Sequence, residues 1–167
     1  PAIRLIQLLS ESQGVALEGA ATTGNLPGFL FDMNRFFQAL LSRFLHDHLD
    51  RYVIKDEYRM TDMMRYLPGF NPQNRHSPAL RPDFVLLQGH RIRAILDAKY
   101  RDLWERSLPN NMLYQLTIYA TTHPQHVATI LYPTVEQHAI ESRIALREPI
   151  YGTEIGQVQL RPVVLPT

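Results

Sequence analysis

The sequence predicts one α/β domain with a central mixed β-sheet flanked by helices. Three observations carry that expectation. Residues 33–45 repeat apolar side chains at helical spacing; residues 81–100 (RPDFVLLQGHRIRAILDAKY) read as two apolar strands joined at a glycine; and an opening helix is followed by strand, strand, helix, strand. With 167 residues, 45% of them hydrophobic, the chain can bury roughly 70% of its unfolded surface around one core.

Residues 2–11 (AIRLIQLLSE) have helical spacing, and a small, polar, glycine-rich linker follows through residue 28. Met33, Phe36, Phe37, Leu40, Leu41, Phe44 and Leu45 then recur at i, i+3, i+4 and i+7, with Asp32 as N-cap. This stripe covers about half the helix surface; Asn34 and His48 fall inside it and Gln38 lies on its edge. RYVIKDEYRM (51–60) reads as a strand, and the Pro-, Asn- and Arg-rich run from Thr61 to Leu80 as a long loop. After the hairpin, SLPNNMLYQLTIYATT (107–122) is helical, with Ser107 or Asn110 as cap and Pro109 near the first turn. HVATILYP (126–133) is a buried strand, and HAIESRIAL and IGQVQLRPVV alternate as edge strands do. The expected organisation is a single domain over 1–167: a helix and linker in 1–28, a motif-bearing core in 29–135 and edge strands in 136–167. Opening on Pro1 rather than methionine suggests a fragment of a longer chain.

Composition excludes several classes. Seventeen basic against 16 acidic residues leave a net charge of +1, so any affinity for DNA must come from a local patch or a partner. Without cysteine there are no disulfides or thiolate metal sites, and a reducing, cytoplasmic setting is expected. No apolar run reaches the roughly 18 residues of a membrane span. There is no Walker A motif, so nucleotide hydrolysis belongs to a partner. His46 and His48 sit about 200° apart on a helix and cannot easily share a metal. His123 and His126, flanking Pro124, suit a solvated turn better than a zinc site. Arg91, Arg93, Arg101 and the arginines of segment 59–81 are candidate phosphate contacts, or simply surface.

The hairpin poses a sharper question, because Asp83, Asp97 and Lys99 interrupt it and an unpaired buried charge costs several kcal/mol. Side chains alternate faces along a strand, so register decides which charges meet. A two-residue turn at Gly89-His90 pairs odd with even positions and mixes charge into the apolar face. A three-residue loop with a bulge at Gly89 pairs even with even. That register leaves one apolar face (Phe84, Leu86, Ile92, Ala94, Leu96, Ala98) and collects Asp83, Asp97 and Lys99 on the other. Cross-strand and diagonal neighbours lie about 5 to 8 Å apart, so the two carboxylates can share a divalent cation. Mg²⁺, with Mn²⁺ as substitute, prefers oxygen ligands, and the Ala98 backbone carbonyl adds one. Lys99 can then orient or deprotonate a water, or stabilise phosphoryl charge. A plain Lys99–aspartate salt bridge explains the same residues equally well. Gln115 and Tyr119, spaced i, i+4, project from one face of the following helix, where they could touch a nucleic-acid backbone, support the lysine, or merely flank a buried tyrosine.

PD, thirteen residues, DAK and then QLTIY resembles the PD-(D/E)xK nuclease superfamily. FDMNRFFQALLSRFL, RPDFVL, ILDAKYRD and YQLTIYA more closely resemble the McrC family, the nuclease subunit of modified-cytosine restriction systems, over roughly residues 29–135. The resemblance implies a restriction-endonuclease-like fold and a Mg²⁺-dependent DNA endonuclease working with an McrB-like AAA+ GTPase motor. It assigns Asp83 and Asp97 to the metal, Lys99 to catalysis, and Gln115 and Tyr119 to the QxxxY motif. Gln38 stands where family members usually carry glutamate, and the family's motor-engaging N-terminal region has no counterpart in these residues. The rival expectation is a nuclease-like DNA-binding or assembly module that cuts little or not at all.

Overall fold

The computed structural model describes residues 32–61 and 63–165; the expected N-terminal helix and linker lie outside them. By its contacts the chain divides into residues 1–33 and Asn34–Thr167, and the second unit carries every described strand. The elements are α1 (Met33–His48), β1 (Val53–Asp56), β2 (Phe84–Gln88), β3 (Arg91–Ala98), α2 (Asn110–Thr122), β4 (Val127–Thr134), β5 (Ser142–Arg147) and β6 (Glu154–Val164). Six strands form one mixed sheet in the order β1-β2-β3-β4-β6-β5. The β3–β4 and β4–β6 pairs are parallel and the others antiparallel. The α/β class and the mixed sheet are as the sequence predicts.

α1 buries Phe37, Leu41 and Leu45, one residue per turn, against Phe84, Leu86, Leu96 and Ala98 of the hairpin. The buried strip is narrower than the apolar stripe: Leu40 and Phe44 stay exposed, and the Phe44 ring stacks on His48 at 4.3 Å. His46 turns away toward Asp56, with Nε2 3.5 Å from Oδ2, so the two histidines do not converge. On the opposite face of the sheet, α2 packs Leu116, Tyr119 and Ala120 on Ile95, Ala128, Ile130, Tyr132, Val158 and Leu160. Helix, sheet and helix thus make three layers.

The hairpin reaches the predicted parity by another route. The loop is the two-residue turn Gly89-His90, closed by the Gln88–Arg91 pair, with Gly89 at φ 60°. Such a turn matches the strand twist, so the extra residue is taken up inside β3. Leu87 faces Ile92 and Leu86 faces Ala94, leaving Arg93 as an unpaired bulge whose Nε donates to Gln88 Oε1 at 2.9 Å. Beyond the bulge, Phe84 faces Leu96 and Val85 faces Ile95, even with even and odd with odd. The expectation of one apolar face and one charged face is also corrected. Val85 and Ile95 are as buried as Phe84, because α2 and the loop before β2 cover that side. The charges sit at the strand ends instead.

Three further expectations change. β6 is interior, between β4 and β5, and only β1 and β5 are edges. Its Pro162 lies beyond the last β5 pair, Ser142–Leu160, so the missing N–H breaks no ladder on that side. Neither Ser107 nor Asn110 caps α2. Pro109 is the N-cap, held extended by its ring, and its carbonyl accepts from the Leu113 amide at 3.0 Å. His123 is not solvated: it is the buried C-cap of α2, its Nδ1 accepting from the Gln125 amide, and burial lowers its pKa. The loop between β1 and β2 is pinned at its base, where the Met60 amide donates to the Leu80 carbonyl at 2.8 Å. No helix among the described residues is long and apolar enough to cross a membrane.

The bulge is expected to be required for the site. Deleting Arg93 would turn Ile95 and Asp97 toward α1, and a chain so altered should lose its cooperative unfolding transition. Arg93→Ala keeps the extra residue and should cost less than about 1 kcal/mol, read by urea denaturation.

Candidate functional site

In an antiparallel pair the start of one strand meets the end of the other. Asp83 immediately precedes β2, and Asp97 and Ala98 end β3, so the register that pairs Phe84 with Leu96 brings both carboxylates to one end of the sheet. Asp83 Oδ2 accepts a hydrogen bond from the Ala98 amide at 2.7 Å. The strand is held on its other side too, since the Lys99 amide donates to the Leu131 carbonyl of β4 at 3.0 Å. Backbone pairing therefore sets the position of all three charged residues.

Lys99 Nζ lies 2.9 Å from Asp97 Oδ2 and 4.0 Å from Asp83 Oδ2. From α2 the Gln115 side-chain amide donates to Asp97 Oδ1 at 3.3 Å and to the Tyr119 hydroxyl oxygen at 2.7 Å. The i, i+4 spacing that puts Gln115 and Tyr119 on one helix face thus links them to each other and to the carboxylate. Tyr119 is only 2% exposed, which suits a support beneath Gln115 and not a contact with a backbone. Gln38 is half-buried on α1 and makes no hydrogen bond to this cluster among the described residues.

Electrostatics follow from burial. Asp97 is 2% exposed; desolvation first, and the Asp83 charge second, push its pKa up to about 6 against the pull of Lys99. Asp83 is raised as well, chiefly by desolvation, opposed by the Ala98 amide and by Lys99. The Tyr119 hydroxyl is raised by burial. Two desolvated carboxylates therefore face a single ammonium, and the cluster is short of positive charge. Its donors are hard oxygens with no imidazole, and no third acid or histidine joins them at chelating distance among the described residues. That set fits Mg²⁺ or Mn²⁺, which take few protein carboxylates and keep several waters.

Several neighbours escaped the sequence. Glu57 donates its amide to the Asp83 carbonyl at 2.8 Å, and its charge raises Asp83 further, while its carboxylate pairs with Arg81 at 2.6 Å. The Asn34 side chain of α1 accepts from the Tyr100 amide at 3.2 Å, and the Phe37 ring meets Tyr100 edge-on. Asp102 accepts from the Trp104 amide and the Thr134 hydroxyl, at 2.9 and 2.8 Å, anchoring the segment after Lys99. No spacing rule links Asn34 or Thr134 to a motif over 60 residues away in one case and on another strand in the other. Of the arginines, Arg81 is occupied by Glu57, and Arg91 and Arg93 lie toward the turn end of the hairpin, roughly 20 and roughly 13 Å along β3 from Asp97. Only Arg101 remains beside the cluster in sequence.

Residues 3–133 match the family profile described as McrBC 5-methylcytosine restriction system component. No curated protein matches the chain. The fold is similar to a chain in a refined half-complex from the tetradecameric assembly of Thermococcus gammatolerans McrB AAA+ hexamers with bound McrC, at a TM-score of 0.56 and 22% identity. That match covers 83% of this chain and 30% of the other, so this chain spans well under half of that relative's length. At such identity the likeness speaks for the fold.

The raised Asp97 pKa has a definite thermodynamic sign. Between 3.8 and about 6 the folded protein holds a proton that the unfolded chain releases. Stability from this group is therefore greatest at low pH and falls as pH rises through that window. Asp97→Asn carries no such proton, so its melting temperature relative to wild type should rise between about pH 5 and about pH 7.5. A pH-independent difference would show that Asp97 titrates normally.

Proposed function

Since the chain belongs to the McrBC 5-methylcytosine restriction system component family, we propose that it is the DNA-cleaving nuclease domain of a McrC-like subunit, dependent on Mg²⁺. The observation that carries the reading is the pair of desolvated carboxylates, Asp83 and Asp97, with Lys99 Nζ 2.9 Å from Asp97. A salt bridge alone needs one aspartate; here burial raises both carboxylates, the Asp83 charge raises Asp97 further, and the result is a stability cost that a bound cation removes.

Asp83, Asp97 and the Ala98 carbonyl would hold the metal, which when bound supplies charge neutralisation at the phosphodiester and activation of the attacking water. The residues of the chain do the rest. Ala98 holds Asp83 through its amide, so that carboxylate is set by the β-ladder. Gln115 donates to Asp97 Oδ1 and fixes the carboxylate's rotation, and Tyr119 fixes Gln115. Lys99 carries the cation nearest the carboxylates, placed to orient the water or to neutralise charge developing on the phosphoryl oxygens. In-line attack by the water would form a new P–O bond as the bond to the leaving sugar oxygen breaks, that oxygen taking up a proton from solvent. A motor like McrB is the proposed partner, bringing the DNA, and 5-methylcytosine DNA the proposed substrate; both extend the family description to this chain.

Plasmid cleavage with Mg²⁺ or Mn²⁺, with and without a cognate motor, tests the reading. Asp97→Ala and Lys99→Ala should each abolish cleavage, with the fold retained and, for Lys99→Ala, metal binding retained. Undiminished cutting by either variant, free of contaminating nuclease, would sink the assignment. Failure of the wild type to cut under every condition would favour the second reading, an assembly or DNA-binding module.

Gln38 gives a further prediction. A neutral amide offers one carbonyl oxygen where glutamate would offer a charge, so cation binding should be weak, in the millimolar range. In calorimetric titration with Mn²⁺, Gln38→Glu should bind more tightly than wild type; equal affinities would remove Gln38 from the site.

A further inference from the structure

Directly after Lys99 the chain makes a tight turn, in which the Arg101 amide donates to the Lys99 carbonyl at 2.9 Å. Asp102, the next residue, is anchored by Thr134 and by the Trp104 amide. Arg101 is thus held from both sides, two residues past the lysine of the cluster. Its side chain is half-buried, and its Nε is buried without a hydrogen-bond partner. It joins no ion pair among the described residues, although Arg43, Arg81, Arg143 and Arg161 all do. The adjacent carboxylate of Asp102 is turned to the Trp104 amide and the Thr134 hydroxyl and forms no ion pair with Arg101 among the described residues.

A guanidinium with its Nε out of water and no anion beside it is unfavourable as it stands. Surface arginines usually escape this by reaching into solvent, but here the Nε has not done so. The planar fork matches one kind of partner best, a tetrahedral oxyanion taken through two N–H groups. Lys99 cannot play that part alone, being engaged by Asp97. We propose that Arg101 binds substrate phosphate just past Lys99 in the chain, its terminal N–H groups gripping a phosphodiester oxygen pair that supplies the guanidinium with the countercharge it lacks. The proposal deepens the nuclease reading and rests on it for the identity of the anion as DNA phosphate.

Two variants of the whole chain, Arg101→Met and Arg101→Lys, test it by three readouts. The first is thermal melting without ligand and with inorganic phosphate. The second is binding of a short duplex followed by fluorescence anisotropy across a salt series, with Ca²⁺ present. The third is plasmid cleavage. Removing an unpaired, half-buried charge should raise the melting temperature of Arg101→Met above wild type, and abolish the rise that phosphate gives the wild type. Its DNA affinity should fall about tenfold, and the slope of log K against log salt should drop by about one. Arg101→Lys should keep that slope, as a point charge does, yet bind more weakly than wild type. An Arg101→Met protein that melts lower, still responds to phosphate and keeps the wild-type salt slope would overturn the proposal and make Arg101 a packing residue. A phosphate response lost in Arg101→Met, in a protein that cuts no DNA, would uphold the anion site and overturn the nuclease reading instead.

Discussion

The Asp97 carboxylate, almost wholly out of water at the end of β3, constrains the rest of the site. An ionised group there is tolerable only with compensation, and each neighbour supplies part of it. Lys99 gives a countercharge and the Gln115 amide a hydrogen bond. Asp83 works against both, and its own burial is offset by the Ala98 amide. The outcome is a cluster whose acids ionise less readily than free carboxylates and whose deficit is positive charge. Such a cluster is poor as a stabilising device. Replacing a buried ion pair with packed apolar residues is often neutral or favourable, so its presence is better understood through what it could bind.

Backbone pairing makes that arrangement possible at little entropic cost. Asp83 and Lys99 lie just outside regular strands, yet the ladder reaches both, through the Ala98 amide on one side and the Leu131 carbonyl on the other. A bulge at Arg93 sets which face each residue of β3 presents. One residue fewer would exchange Ile95 and Asp97 for Leu96 and Ala98, breaking both core clusters at once. Register is thus enforced by two apolar layers, and the charged cluster inherits its geometry from them.

α2 connects packing to chemistry in a second way. Leu116 and Ala120 seat it on the sheet, and Tyr119, on the margin of that buried face, turns its hydroxyl to Gln115. The phenol is a polar handle on a core residue, which lets a hydrophobic contact orient an amide and the amide orient a carboxylate. Around the cluster, Glu57, Asn34, Asp102 and Thr134 tie the segments that flank Asp83 and Lys99 to three other parts of the chain.

Local pattern alone determined the α/β class, the two described helices and the hairpin, because alternation and 3.6-residue periodicity are written in consecutive side chains. It also determined that Asp83 and Asp97 share a side, since both routes to even-with-even pairing give the same parity. Tertiary structure decided what depends on distant partners. The extra residue sits at Arg93 and not in the loop, because the turn could close with two residues once the strand absorbed the third. β6 is interior because β5 covers it, a fact of pairing that its own alternation cannot carry. His123 is buried because α2 ends against β3, and Tyr119 is a support because the sheet lies beneath it. Asn34 and Thr134 reach the site from 66 and 32 residues away, through contacts that exist only once the sheet has closed.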